Sequence, residues 1–170
     1  MLHVVRHGRT EVNASGKLLG RSDPGLDQTG RKQAEDLANR LGGVDLVISS
    51  PLKRTMETAS YISNTVKTDP RWLELDYGEL EGRSIESIDV EIWENWRSDA
   101  NWAPEGGESL SALGVRVAEA CEDIVEISKD REIILKDNSC ELGLITVGPV
   151  ENLQLLILNI NEDIYKLTSN

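Results

Sequence analysis

Positive charge, cysteine, histidine and long apolar runs are all in short supply in this chain, and each shortage removes a class of function. The 170 residues include 18 Lys and Arg against 30 Asp and Glu, a formal charge of −12. Association with nucleic acid or an anionic membrane needs cations that displace counterions, so neither is expected as a partner. A small anion held in a locally basic pocket stays compatible with this balance. No apolar stretch approaches the ~20 residues of a membrane-spanning helix, and Met1–Val5 is too short for a signal-peptide core, so the expectation is a soluble cytoplasmic protein. The two cysteines, Cys121 and Cys140, cannot build a disulfide framework, and neither has the downstream arginine that a cysteine-based phosphatase loop requires. Repeats and low-complexity stretches are also missing, which argues against a solenoid. The length favours one domain around one core.

What is present alternates short apolar runs with helical patterns. Leu2–Val5 reads as a buried strand that delivers the loop Arg6-His7-Gly8. From Asp27 to Leu41, Ala34, Leu37, Ala38 and Leu41 recur at helical spacing, and Gly42-Gly43 ends the pattern. Val44–Ser49 reads as a second strand. Ser50-Pro51 then supplies a capping residue and a first-turn proline for a helix with Leu52, Met56 and Ala59 on one face. The segment after Thr68 through Leu75 reads as a third strand. Residues 76 to 108 hold Gly78, Gly82, Pro104, Gly106 and Gly107 around Ile88, Ile92, Trp93 and Trp96, the composition of a cap inserted over one end of a sheet. The tryptophans at helical spacing are taken as packing. A helix from about Ser109 buries Leu113, Val117, Ala120, Cys121, Ile124 and Ile127, and Arg131–Leu135 is the next strand. This order predicts an α/β fold, a three-layer α/β/α sandwich with a mostly parallel central sheet.

The polar residues at the strand ends carry the chemistry. An open parallel sheet presents its ligands at the carboxyl ends of its strands, which is where Arg6-His7-Gly8 falls. An imidazole there can attack phosphorus in line when a backbone carbonyl holds its other ring nitrogen, and Arg6 can fork onto phosphoryl oxygens. Arg54 lies in the first turn of the helix after the second strand, where the helix amides already favour an anion. Glu74, at the end of the third strand, would have its pKa raised by a neighbouring phosphate dianion and could then donate a proton to a leaving oxygen. A polar cap, a surface ion pair and a solvated strand end would explain these three residues singly. Their convergence on one rim favours the chemical reading.

These residues sit in text that resembles the histidine phosphatase superfamily, which includes cofactor-dependent phosphoglycerate mutases and broad small-molecule phosphatases. The matching stretches are Val5-Arg6-His7-Gly8-Arg9-Thr10 with Asn13, and Gly20-Arg21-Ser22-Asp23-Pro24 running into Leu26-Asp27-Gln28-Thr29-Gly30 with Gln33-Ala34. Ser49–Arg54 with Thr58-Ala59, Glu74 to Gly82, and Gly106-Gly107-Glu108-Ser109-Leu110 continue the series. The resemblance implies His7 as the phosphorylated nucleophile, Glu74 as general acid, Arg6 and Arg54 as phosphate ligands, and Asn13, Leu19 and Gly20 near the substrate. It implies no metal and no cofactor. Glu81-Gly82-Arg83-Ser84-Ile85-Glu86 leads into a short cap, which looks like the phosphatase branch, in which water receives the phosphoryl group. The implied substrate is a small phosphomonoester, and a homodimer is compatible with the family. Phosphoglycerate mutase activity is the alternative within it.

One element of the family pattern is missing. Members place a second histidine at the end of a later strand, whereas His3 and His7 are the only histidines here. Either Thr146, in Leu144–Val150, stands in its place, or a strand-helix unit of ~20–30 residues carrying the histidine has been lost after Leu135. The alternation over Leu153–Asn159 reads as a closing strand and favours the loss. Lys136–Glu141 is too short for a parallel crossover, so the Arg131 strand is expected to pair antiparallel or the sheet to be rebuilt near the C-terminus. Removing one preorganised donor from such a site costs ~10²–10³ in rate. The alternative function is therefore a phosphate-binding pseudoenzyme or interaction module without turnover.

Overall fold

The computed structural model describes residues 2–41, 44–128, 133–136 and 145–147. The apolar run Leu2–Val5 forms β1, followed by α1 (Glu11–Ala14), α2 (Gln28–Leu41), β2 (Leu46–Ser49), α3 (Lys53–Ile62) and β3 (Val66–Thr68). After these come α4 (Val90–Ser98), α5 (Leu110–Ser128), β4 (Ile133–Lys136) and β5 (Ile145–Val147). The strands make one sheet in the order β3-β2-β4-β1-β5. Four of them run parallel, and β5 pairs antiparallel with β1.

Alternation along the strands sends side chains to opposite faces, and both faces are covered by helix. Leu2, Val4 and Ile48 pack with Trp72 and with Ala120, Cys121 and Ile124 of α5. On the other face, Val5 and Val47 pack with Leu37 of α2 and Ala59 of α3. This is the expected α/β/α sandwich. A third cluster, Leu18, Leu75, Leu80, Ile88 and Trp96, lies outside these layers and ties α4 to the loops around it. Trp96 is its buried centre, with the Trp93, Trp102 and Tyr77 rings 5.6, 5.2 and 5.9 Å away, so the tryptophans do pack together.

Three expectations need correction. The third strand is Val66–Thr68, and residues 70 to 75 are not strand. Pro70 has no N–H for a ladder and opens a 3-10 turn, Pro70–Trp72, whose start Asp69 caps by accepting from the Arg71 amide at 2.9 Å. Helix α3 begins two residues later than Ser50-Pro51 implies. Leu52 is its N-cap and the buried Ser50 hydroxyl meets Thr55 Oγ1 at 3.0 Å, so the serine-proline pair forms the turn out of β2. Finally, β4 is parallel to both its neighbours, β1 and β2, and the antiparallel strand is β5. An antiparallel return needs no helical crossover, which removes the objection that the connection is short.

The ladders also locate the two readings of the missing histidine. Lys136 is level with Val5 and Ser49, so β4 ends at the rim where β1 and β2 deliver their loops. Thr146 pairs with His3 in the middle of β1, away from any carboxyl strand end. The strand expected over Leu153–Asn159 lies outside the described residues.

Candidate active site

The loop leaving β1 is fixed from two sides. His7 is buried, and its Nδ1 lies 2.6 Å from the Gly8 carbonyl oxygen. With Nδ1–H donating there, the neutral imidazole carries its lone pair on Nε2. From α3, Thr58 Oγ1 accepts from the Gly8 amide at 3.1 Å while donating to the Arg54 carbonyl at 2.8 Å. From α2, Gln33 accepts from the Arg9 amide at 2.9 Å. Asp27 receives Arg9 Nε and the Gly30 amide, each at 2.7 Å, and these contacts hold its carboxyl below the usual range. The backbones touch here: a Cβ on Gly30 would lie 2.1 Å from the Arg9 carbonyl oxygen. Only glycine permits that approach.

Arg54 is the largest fully buried side chain among the described residues. Its two terminal nitrogens donate to the carbonyls of Gly20 and Ser22, both at 2.8 Å, and its Nε–H, also buried, has no partner. Burial pushes its pKa down from the ordinary arginine value, opposed by Glu74, Glu81 and Asp23. The loop supplying those carbonyls is held from its amide side by Glu81, whose carboxylate accepts from Gly20, Arg21 and Ser22 at 2.9 to 3.2 Å.

Glu74 belongs to the extended segment that follows the 3-10 turn. Arg116, reaching across from α5, donates to the carbonyls of Arg71, Leu73 and Glu74 at 2.6, 2.7 and 3.2 Å. It also forks onto Glu108 at 2.6 and 2.7 Å, and despite the opposing effect of burial this pairing holds the Glu108 carboxyl below its usual value. Tyr77 gathers the fields of the site. Burial, Glu74 and Glu81 push its phenol up, and Arg6 and Arg54 pull the other way.

The expected residues are therefore partly assembled. Arg6, Arg54 and Glu74 all act electrostatically on Tyr77, the Gly20 carbonyl accepts from the Arg54 guanidinium, and the loop of His7 is joined to the Arg54 backbone carbonyl through the Gly8 amide and Thr58. Leu19 is half-buried beside Gly20. Asn13 acts locally, since its amide oxygen accepts from the Thr10 amide and hydroxyl, both at 2.6 Å, and closes the capping box of α1. A cleft of about 220 Å³ opens beside the loop that leaves β1, lined by Arg6, His7, Gly8 and Thr58 with Leu37 and Arg40 of α2. Glu81, Arg116 and Thr58 join the site without having been marked by the sequence. Glu81 and Thr58 stand in motif text, but their roles depend on partners about 60 and 50 residues away.

Comparison with known proteins agrees with this geometry. The family model of the histidine phosphatase superfamily (branch 1) matches residues 2–136. A Yersinia pestis (strain Pestoides F) protein named "Probable phosphoglycerate mutase GpmB" is 37% identical over 153 residues, covering 84% of this chain and 71% of that protein. Among solved structures, TTHB049 from Thermus thermophilus superposes with a TM-score of 0.71 at 33% identity, over 81% of this chain and 78% of that one. A mycobacterial glucosyl-3-phosphoglycerate phosphatase also gives 0.71, at 29% identity, over 81% and 73% of the two chains.

Proposed function

Because this chain belongs to the histidine phosphatase superfamily, we propose that it hydrolyses small phosphomonoesters through a phosphohistidine on His7. The observation that carries this reading is Arg54. A fully buried guanidinium bonded to neutral carbonyls, with its Nε unpartnered and no carboxylate within ion-pair distance among the described residues, needs an anion to offset its burial. The backbone of Arg54 is linked through Thr58 to Gly8, whose carbonyl meets Nδ1 of the buried His7. Arg6 and Arg54 would take the phosphoryl oxygens and His7 Nε2 would attack phosphorus in line. As the P–N bond forms and the ester P–O bond breaks, Glu74 donates its proton to the departing oxygen. The resulting Glu74 carboxylate then takes a proton from water, whose oxygen attacks phosphorus. The P–N electrons return to Nε2, and inorganic phosphate leaves.

The likeness to a glucosyl-3-phosphoglycerate phosphatase and the Glu81-Gly82-Arg83 text support hydrolysis, and the likeness to a protein named probable phosphoglycerate mutase keeps mutase activity as the alternative. Hydrolysis of p-nitrophenyl phosphate, with trapping of an acid-labile phosphoprotein, is the direct measurement. His7→Ala should abolish both signals, and unchanged turnover in that variant would sink the mechanism. A second reading rests on the histidine count. With His3 placed inside β1, no second imidazole is at hand for the phosphoryl group, and turnover would be slow by ~10²–10³. Tight phosphate binding with neither turnover nor phosphohistidine would identify a phosphate-binding module.

A further inference from the structure

Glu81 is unlike the other acidic residues around the site, because its carboxylate accepts from three successive backbone amides. It follows the 3-10 turn Gly78–Leu80, where Leu80 is fully buried, and precedes Gly82, whose amide donates to the Leu18 carbonyl at 3.0 Å. Both neighbours being anchored, the side chain is aimed at residues 20 to 22. Oε1 accepts from the amides of Gly20 and Ser22 at 2.9 and 3.1 Å, and Oε2 from Gly20 and Arg21 at 3.1 and 3.2 Å. Successive amides turned to one point form a concavity that holds an anion, here a resident one. The contact is close enough that a Cβ on Gly20 would sit 2.8 Å from Oε2 and 2.3 Å from the Leu75 carbonyl oxygen.

Carbonyls of the same short loop serve Arg54. While the three amides turn to Glu81, the carbonyls of Gly20 and Ser22 accept from the two terminal nitrogens of the guanidinium at 2.8 Å each. Residues 20 to 22 thus form a plate with a carboxylate on one side and a buried cation on the other. Fixing both terminal nitrogens fixes the guanidinium plane, and with it the direction of the unpartnered Nε–H. We infer that Glu81 is a positioning residue, which acts through the 20–22 backbone to hold Arg54 in the orientation that binds a phosphoryl group. This rests on the reading of Arg54 as the phosphate ligand.

The sign of one measurement separates the possibilities. Glu81 is a negative charge near an anion site. If it acted only through space, Glu81→Gln would remove repulsion and tighten phosphate binding. If it positions Arg54, the amide side chain presents N–H to backbone N–H, the plate loosens, and binding weakens by ~tenfold. The experiment titrates inorganic phosphate and orthovanadate into the wild-type chain and into Glu81→Gln and Glu81→Asp, with KM and kcat for p-nitrophenyl phosphate and thermal midpoints alongside. Weaker anion affinity and raised KM in Glu81→Gln, a smaller change in kcat, and partial recovery in Glu81→Asp are expected. Tightened or unchanged affinity overturns the proposal, and a lowered midpoint with unchanged affinity reduces Glu81 to a structural clip. Wild-type chain that binds phosphate without hydrolysing it fails the hydrolysis reading alone, since the affinities still test Glu81. Wild-type chain that binds neither anion fails the Arg54 reading, and this proposal falls with it.

Discussion

A guanidinium removed from water costs several kcal/mol unless charge or hydrogen bonds compensate. Arg54 has two carbonyl partners and a buried, unpartnered Nε–H, so its compensation is incomplete in the unliganded chain. An anion completing it would stabilise the folded state by mass action, about 2.7 kcal/mol at a hundredfold excess over Kd. Orthovanadate should therefore raise the thermal midpoint of the wild-type chain. Arg54→Met, which keeps the apolar stem and loses the charge, should abolish that rise; an equal vanadate shift in the variant would exclude Arg54 from the anion site. At this scale the sequence is informative about position: it places Arg6 and His7 just after a strand and Arg54 in a first helical turn, where the structure has them. It is silent on Glu81, because a glutamate between Leu80 and Gly82 looks solvated until the fold brings residues 20 to 22 against it. For Asn13 the fold adds a partner the sequence does not announce, its amide oxygen accepting from the Thr10 amide and hydroxyl.

Elements position the acid as loops position the cation. Glu74 lies on a segment with no ladder of its own, six residues beyond the end of β3. Its backbone is secured by Arg116 on α5, which holds the Arg71, Leu73 and Glu74 carbonyls and is itself gripped by Glu108. Arg116→Met leaves those carbonyls and the Glu108 carboxylate without their main donor, a loss of ~2–4 kcal/mol for a half-buried network. Its effect on catalysis should depend on the leaving group. A general acid matters most when the departing oxygen is a poor leaving group, so hydrolysis of an alkyl phosphate should fall ~tenfold while that of p-nitrophenyl phosphate falls much less. Vanadate affinity should hold, because Arg54 is untouched; equal losses on both substrates would show that Arg116 does not act through Glu74. The sequence makes α5 plain through its apolar spacing but places Glu74 at the end of a strand. Trp72, Leu73 and Leu75 carry strand-like composition, yet Asp69-Pro70 dictates a turn and Arg116 supplies from a distance the hydrogen bonds a neighbouring strand would have given.

The molecule as a whole combines a sheet legible from its apolar runs with carboxylates that stabilise it only when ionised. The two helical faces follow from period-two alternation in β1 and β2, whereas the order β3-β2-β4-β1-β5 depends on pairings between distant segments that no local pattern records. Three carboxyls have lowered pKa: Asp27 through the Gly30 amide and Arg9, Asp69 through Arg71, and Glu108 through Arg116. Their ordinary values are 3.8, 3.8 and 4.5. Each is lower folded than unfolded, so below these values the unfolded chain takes up protons that the folded chain still refuses, and stability falls as pH falls. Their contribution is complete above the unfolded values and is lost as pH drops through the folded ones. Unfolding free energy from urea titrations should be nearly level between pH 8 and 5 and decline through the low fours and threes. The slope of that decline counts the protons gained on unfolding. Glu108→Gln lowers stability at neutral pH by loosening Arg116, and it should also flatten the acid decline by removing one of the titrating groups. A variant that is weaker at neutral pH but keeps the full acid slope would show that the Arg116 pairing does not govern how the fold responds to acid.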